Sequence, residues 1–304
     1  MVILCTLVAD IQLKPKPLKL LDLSSFSKIS HKEWLEEAQK QLKGKDPFEE
    51  FNWQSSGVDN LKPYYDETTL ENLSDQIDFF KGLAPHEWKL FEKIEVKEES
   101  LANQQALAAL TGGCDGILFE TKGNVDSAKL LKGIDLAICF ISSNQPIEGA
   151  SGMNSSNSLV DKTANSSAEQ ISNILSQLKE SHQWIHRLAF PDFFVEIATV
   201  RALRYLLNTN RSGSHVTIHT SIPMHLEEDH QWFLNTTAGL ASILGGTFSV
   251  SFETATGDSR ISRNVGNIIR EESGISTYED QCGGSFYIES LTHRIVEQVK
   301  QTAL

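Results

Sequence analysis

The sequence predicts an α/β protein: a (β/α)8 TIM-type barrel, complete or degenerate, preceded by an N-terminal extended and helical arm. Three observations carry that expectation. From Trp88 onward, short apolar runs alternate with amphipathic segments, the pattern of parallel strands joined by crossover helices. The alternation runs for seven or eight units without a change of pattern, which favours a closed barrel over an open sheet. At 304 residues and 40% hydrophobic composition, the chain can bury one large core or two ordinary ones, enough for such a barrel.

The elements follow in order. Residues 1–29 contain "KPKPLKLL", show no clear period and read as an irregular segment. "SHKEWLEEAQKQLKG" is the first firm helix. Ser30 and Glu33 make a capping box; Trp34, Leu35, Ala38 and Leu42 share one face, and Gly44 ends it. "KDPFEEFNWQSSGVDNLKPYYD" is aromatic and turn-rich without a period, and reads as an extended arm whose rings pack on something else. Residues 30–85 are therefore expected to form helix and arm, and residues 86–304 the barrel. Within the barrel, "EWKLFEKIEV", "DGILFE", "DLAICFIS", "IHRLAF", "VTIHTS" and "FSVSF" read as strands, with "LVD" a stub of another. "SLANQQALAALTGG", "VDSAKLLKG", "ISNILSQLKE", "PDFFVEIATVRALRYLLN" and "LEEDHQWFLNTTAGLASILGG" read as helices, and two more close the chain. Ser166 and Glu169 form a second capping box, and residues 144–158 a small-residue loop.

The net charge of −13 argues against a nucleic-acid partner and an anionic membrane surface, both of which need a basic face. The cysteines Cys5, Cys114, Cys139 and Cys282 show no CxxC spacing and no zinc pattern. Cys114 and Cys139 fall in apolar runs and read as buried free thiols, which suits a reducing cytoplasm. The apolar start "MVILCTLVA" is too short to span a bilayer and lacks a basic leader.

No phosphate loop, dinucleotide fingerprint, HExxH or GxSxG motif occurs. In a barrel, chemistry belongs at the C-terminal ends of the strands. The polar residues expected there are Glu92 or Glu95, Glu120, Asp161, His219 and Glu253. Glu120 and Glu253 read as an acid/base pair or as rim carboxylates facing water. His219 reads as a general acid or ligand contact, or as a satisfied structural group. His182 and His186 straddle a loop-to-strand change, so their spacing does not suit a metal. Phe119, Phe140, Phe190 and Phe252 lie at or near the barrel, and strand alternation leaves open which of them point inward.

The closing stretch, "RISRNVGNIIREESGI" followed by "DQCGGSFYIESLT", resembles the end of the barrel domain of the methylmalonyl-CoA mutase family. There an Arg-Ile-x-Arg-Asn helix, a Glu-Glu-x-x-Ile segment and a Gly-Gly-Ser-aromatic-Tyr-x-Glu-x-Leu-Thr helix start occur in that order. "LKGKDPFEEFNWQSSGVDNLKPYYD" looks like the family's N-terminal arm, "DFFVEIATVRALRYLL" like its Phe-Phe-x-Glu-Ile-Ala-x-x-Arg-Ala-x-Arg helix, and "ANQQALAALTGGCDGILFE" like the small-subunit form of the early barrel. The tail motif is specific by itself; the others gain weight from their order, which covers about residues 31–304.

That resemblance implies a family that rearranges acyl-CoA carbon skeletons with adenosylcobalamin, held on a second domain by a DxHxxG loop. No DxHxxG occurs here. Catalytic members carry a Tyr-His pair after a mid-barrel strand; here Val160 and Asp161 align, and Lys162 and Thr163 run straight into Ala164. In the family's Thr-His-x-Gln-Thr-Ser-Gly strand, Thr220 and Ser221 align with the Thr-Ser pair, placing Thr217 at the His and His219 at the Gln. Only "ETATGDS" stands where catalytic members have a long covering loop, and a shortened lid cannot exclude water from a radical. The resemblance thus implies a small, non-catalytic subunit in a heterodimer with a large catalytic subunit, which carries the adenosylcobalamin; this chain would bind no cofactor. Residual acyl-CoA binding stays open. The contact residues expected in the arm are Phe48, Phe51, Trp53, Tyr64 and Tyr65. The alternatives are an acyl-CoA mutase barrel working with a separate cobalamin-binding subunit, and a barrel repurposed for another small molecule.

Overall fold

The computed structural model describes residues 29–81, 87–145, 147–148, 158–161, 164–210, 216–223, 228–253 and 259–302, without the side chains of 158–161 and 228–231. Contacts divide the chain into two compact units, one ending at Glu50 and one beginning at Phe51. The first holds α1 (His31–Gln41) and the short α2 (Pro47–Glu50). The expected capping box is formed: Ser30 Oγ accepts from Glu33 N, and the Glu33 carboxylate accepts from Ser30 N at 2.8 Å. Phe48 lies beside His31 and Trp34, with ring centroids 5.9 and 5.6 Å away.

The second unit opens on a feature the aperiodic reading of residues 45–66 missed, the antiparallel hairpin of β1 (Trp53–Ser55) and β2 (Val58–Leu61). Its two-residue turn has positive φ at both Ser56 and Gly57, the mirror-image turn whose twist matches paired strands. A short 3-10 turn (Glu67–Leu70) and α3 (Ser74–Lys81) follow.

From there the chain alternates as expected. In order come β3 (Lys89–Val96), α4 (Glu99–Thr111), β4 (Gly116–Thr121), α5 (Ser127–Leu130), β5 (Phe140–Ser143), β6 (Ser158–Asp161) and α6 (Ser167–Gln177). Then come β7 (Trp184–Leu188), α7 (Phe193–Asn210), β8 (Thr217–Ile222), α8 (Glu228–Gly245), β9 (Ser249–Phe252), α9 (Ser259–Glu272) and α10 (Phe286–Thr302). The sheet of seven strands runs β5-β4-β3-β9-β8-β7-β6, and every pairing within it is parallel. Its first strand in the chain, β3, lies beside its last, β9. A singly wound, curled sheet has that order, and so the fold is TIM-barrel-like. Among the described residues the curl stays open between β5 and β6.

Two local expectations change. The run "DLAICFIS" is strand only from Phe140, because Asp135 starts a turn: its carbonyl accepts from Cys139 N and its carboxylate from Ala137 N, both at 3.0 Å. Cys139 is therefore partly exposed rather than buried. The second capping box is half made: Ser166 Oγ accepts from Glu169 N, but the Glu169 carboxylate reaches Asn165 N instead.

Strand register fixes the two faces. On β3, Phe91, Lys93 and Glu95 pair with Gly116, Leu118 and Glu120 of β4 and face the barrel interior. Leu90, Ile94 and Val96 face the helices, in a core that includes Ile117, Phe119, Val250 and Phe252. Hence only Phe140 of the four flagged phenylalanines points inward, against Phe91 and Phe248. Phe119 and Phe252 belong to the helix-facing core, and Phe190 lies beside the Arg187 guanidinium. Gly116 is needed where it is, since a Cβ there would stand 2.7 Å from the Phe91 ring and 2.8 Å from the Phe140 carbonyl.

Candidate functional site

The barrel interior is layered. Phe91, Phe140, Trp184 and Phe248 meet edge to face or tilted, with centroids 5.5–6.0 Å apart, and form an aromatic floor. Above them lies a polar layer. His219 is fully buried, 5.1 Å from the His186 ring and 5.5 Å from Phe91. Its Nδ1 bonds Ser249 Oγ at 2.8 Å and its Nε2 bonds Ser251 Oγ at 3.0 Å. Ser221 Oγ joins the same network, 3.1 Å from Ser251 Oγ. Burial, with His186 adding to it, holds the His219 imidazole well below its usual pKa. His219 is a neutral, satisfied interior group, below the mouth to which the sequence assigned it.

At the mouth, Lys93 bridges the two candidate carboxylates, 3.1 Å from Glu120 Oε2 and 3.3 Å from Glu253 Oε1. Glu120 and Lys93 come from the adjacent strands β4 and β3, and Glu253 directly follows β9 on the other side of β3, so the sheet itself sets the triad. Partial burial lowers the pKa of Lys93, and the charges of Glu253 and Glu120 overcome that and raise it. Lys93 is the site residue that the sequence reading missed. Its signal was there, since it alternates with Phe91 and Glu95 on one face of β3. The Glu120–Glu253 pair is thus ion-paired through Lys93 and does not converge with His219.

The other candidates separate. Glu92 faces the helices, paired with Arg263 and accepting from Ser259 Oγ at 2.6 Å. Glu95 pairs with the exposed Lys97 and Lys122, and those partners lower its pKa. The side chain of Asp161, Lys162 and Thr163 at the missing Tyr-His position, and most of the short lid stretch at 254–258 lie outside the described residues. Two cavities meet at the triad, an outer cleft of about 610 Å³ between α4 and α9 and an inner pocket of about 60 Å³; Lys93, Glu120 and Glu253 line both.

The residues that carry the sequence resemblance build scaffold. On α7, Glu196 and Arg187 of β7 form a fully buried bidentate pair at 2.5 and 2.8 Å. Arg201 bonds both Asp280 oxygens at 2.6 and 2.7 Å and Glu289 at 2.6 Å, so the mid-chain helix and the Gly-Gly-Ser tail are tied together. Arg270 of α9 reaches Asp115 at 2.8 Å and the Gly113 carbonyl.

Of the aromatics expected at a partner interface, Phe51 and Trp53 are 51% and 44% exposed. Tyr65 packs on Tyr287 of α10, ring centroids 5.1 Å apart, and its hydroxyl accepts from Lys62 N. Tyr64 is half-buried.

Among the described residues, no cluster of three His, Cys, Asp or Glu side chains could hold a metal ion. The described histidines of the second unit do not fit a cobalt ligand. His186 and His219 are enclosed in the barrel, His182 lies in a turn where its Nδ1 accepts from Lys179 N, and His293 is half-buried on α10. No step through cobalamin is therefore assigned to these residues. No described helix is long and apolar enough to cross a membrane.

The family model described as methylmalonyl-CoA mutase matches residues 181–303. Methylmalonyl-CoA mutase of Escherichia coli K12 is 35% identical over 129 residues, 36% of this chain and 18% of that protein. The methylmalonyl-CoA mutase small subunit of Porphyromonas gingivalis is 28% identical over 183 residues, 56% of this chain and 29% of that protein. A methylmalonyl-CoA mutase homolog of Alkalihalophilus pseudofirmus is 30% identical over 117 residues, 38% of this chain and 74% of that protein. The chain thus aligns with less than a fifth of the Escherichia coli protein but with most of the short homolog. On this coverage, and with the barrel order of its strands, the chain belongs to the methylmalonyl-CoA mutase family.

Proposed function

We propose that this chain is a small-subunit-like component of adenosylcobalamin-dependent methylmalonyl-CoA mutase, not catalytic by itself and supporting a large subunit that carries the cofactor. The observation that carries this reading is the barrel axis. Four aromatic side chains floor it and the only interior cation described at its mouth, Lys93, is already held by two carboxylates. An acyl thioester that carries a carboxylate finds no free positive charge there. The alignment with the Porphyromonas small subunit, over 56% of this chain, supports the same reading. In it, residues 30–85 form an arm that reaches the partner through Phe48, Phe51, Trp53, Tyr64 and Tyr65, and the heterodimer works in a reducing cytoplasm where the thiols stay free.

The test is co-expression with the large mutase subunit from the same organism, tagging only this chain, with mass read by size exclusion and light scattering. A stable one-to-one complex whose mutase activity survives Glu120→Gln in this chain supports the proposal. A monomer that ignores the partner overturns it. The two cavities at the mouth favour a second reading, a barrel adapted to another small molecule.

A further inference from the structure

Another cavity, of about 300 Å³, opens where β7 and β8 end and the hairpin turn meets α6. Among the described residues it shares only Leu188 with the inner pocket and nothing with the Lys93 triad. The turn builds one wall. The Ser56 carbonyl accepts from Ser167 N at the start of α6, and a Cβ on Gly57 would run into Ser166. Phe190, Pro191 and Pro223 wall the cavity from the strand ends. The Phe190 N–H is taken by Glu196 and the prolines have none, so that side is apolar.

Among the described lining residues, Gln170 is the one buried polar side chain, 2% exposed. Its amide orientation is fixed from both sides. Arg187 Nε can only donate, so Gln170 Oε1 faces it at 2.7 Å; the Leu188 carbonyl can only accept, so Nε2 faces it at 3.2 Å. That uses one of the two Nε2 hydrogens, and the other has no acceptor in the chain. Buried donors are normally paired, so this one calls for an acceptor on an occupant. Nearer the surface, the Asn165 amide and the Ser56 hydroxyl line the same cavity, and their side chains are likewise free of hydrogen bonds. No described lining residue carries a charge. The carboxylates nearby are engaged: Glu196 by Arg187, Asp192 by Ser55 Oγ and Val195 N, Glu169 by Asn165 N. A charged ligand would lose hydration here without gaining a counter-ion.

We propose that this cavity binds an uncharged amide with a flat apolar body. The ligand carbonyl accepts the spare Gln170 hydrogen, and its N–H groups donate to Asn165 Oδ1 and Ser56 Oγ. An amide carries that acceptor and those donors on one small group. Its apolar body lies against Phe190, Pro191 and Pro223. The site goes beyond the subunit reading and does not depend on it, because it is tested on the full chain alone.

Benzamide, benzoate and benzylamine share a ring and differ in charge. Each is titrated calorimetrically into the protein at neutral pH, up to millimolar concentrations, since ligands of this size bind weakly. Two variants locate the binding. Ala164→Trp places a large ring at a half-buried lining position and should abolish benzamide binding. Gln170→Glu keeps an acceptor for Arg187, removes both amide hydrogens, and should weaken benzamide about fivefold, the worth of one neutral hydrogen bond. Wild type is expected to bind benzamide saturably, with the charged analogues at least about tenfold weaker at the site that Ala164→Trp blocks. No benzamide binding, a benzamide affinity unchanged in either variant, or a charged analogue that binds the blocked site as tightly as benzamide overturns the proposal. If Gln170→Glu fails to fold, Ala164→Trp and the comparison of the three probes still decide.

Discussion

Replacing Glu196 with Ala tests whether the family's helix motif is a structural clamp. The Glu196 carboxylate, 0% exposed, accepts from Arg187 Nη1 and Nη2 at 2.5 and 2.8 Å, from Phe190 N at 2.8 Å and from Ser242 Oγ at 2.6 Å. Without it the Arg187 guanidinium stays buried, with only Gln170 Oε1 at 2.7 Å and Thr220 Oγ1 at 3.4 Å. Breaking a buried pair from one side costs about 3–5 kcal/mol. A domain has about 5–15 kcal/mol in all, so Glu196→Ala should lower the thermal midpoint by roughly 10 °C or unfold the chain. Urea unfolding followed by far-UV circular dichroism measures the loss. The paired replacement Arg187→Met with Glu196→Leu removes both charges and should recover about 1–2 kcal/mol or more relative to Glu196→Ala. A double variant no more stable than the single one would refute the clamp, because it would show no coupling between the two side chains.

Three further expectations follow from the same structure. Because the folded-state pKa of His219 is depressed, the unfolded chain binds its proton first, so stability falls as pH drops below about 6.5 by up to ~1.4 kcal/mol per unit. His219→Asn should flatten that limb in a comparison of urea midpoints at pH 7 and pH 5.5, and an unchanged slope would count against a neutral buried imidazole. Burial pushes the Cys114 thiol up to about 12 and the Cys282 thiol up to about 11. Both should resist iodoacetamide at pH 8 while Cys139 reacts, as read by peptide mass mapping, and equal labelling in buffer and in urea would contradict this. Gly116→Ala should cost about 1–3 kcal/mol by crowding Phe91 and the Phe140 carbonyl; a neutral effect in the same urea assay would mean that the interior floor is looser than described.

The barrel was legible because parallel strands joined by crossover helices leave short apolar runs between amphipathic segments, and "DGILFE", "VTIHTS" and "FSVSF" all fall on observed strands. The hairpin at Trp53–Leu61 was hidden because its strands are three and four residues long and their burial does not alternate, although Ser56-Gly57 is a turn signal. "DLAICFIS" misled because Ile138, 75% exposed, is apolar without being buried. For the site, the sequence supplied Glu120 and Glu253 but could not supply their meeting, which depends on β4 and β9 both flanking β3. His219 looked like mouth chemistry because it sits late in its run. It proved to be interior because β8 extends two residues past Thr220, to Ile222, and so carries the strand's end beyond the histidine.

The adjacency of β3 and β9 also sets a timetable for synthesis. Lys89, Leu90 and Phe91 acquire their partners on one side only when Ser249, Val250 and Ser251 have left the ribosome. At about 5–20 residues per second, roughly 150 residues of chain between them mean a wait on the order of ten to thirty seconds. Through that interval β3 presents an unsatisfied edge, Phe91 included. Such an edge invites intermolecular pairing until the last strand arrives. A nascent chain arrested before residue 249 should therefore be held by chaperones, whereas one arrested after the final helix should be released.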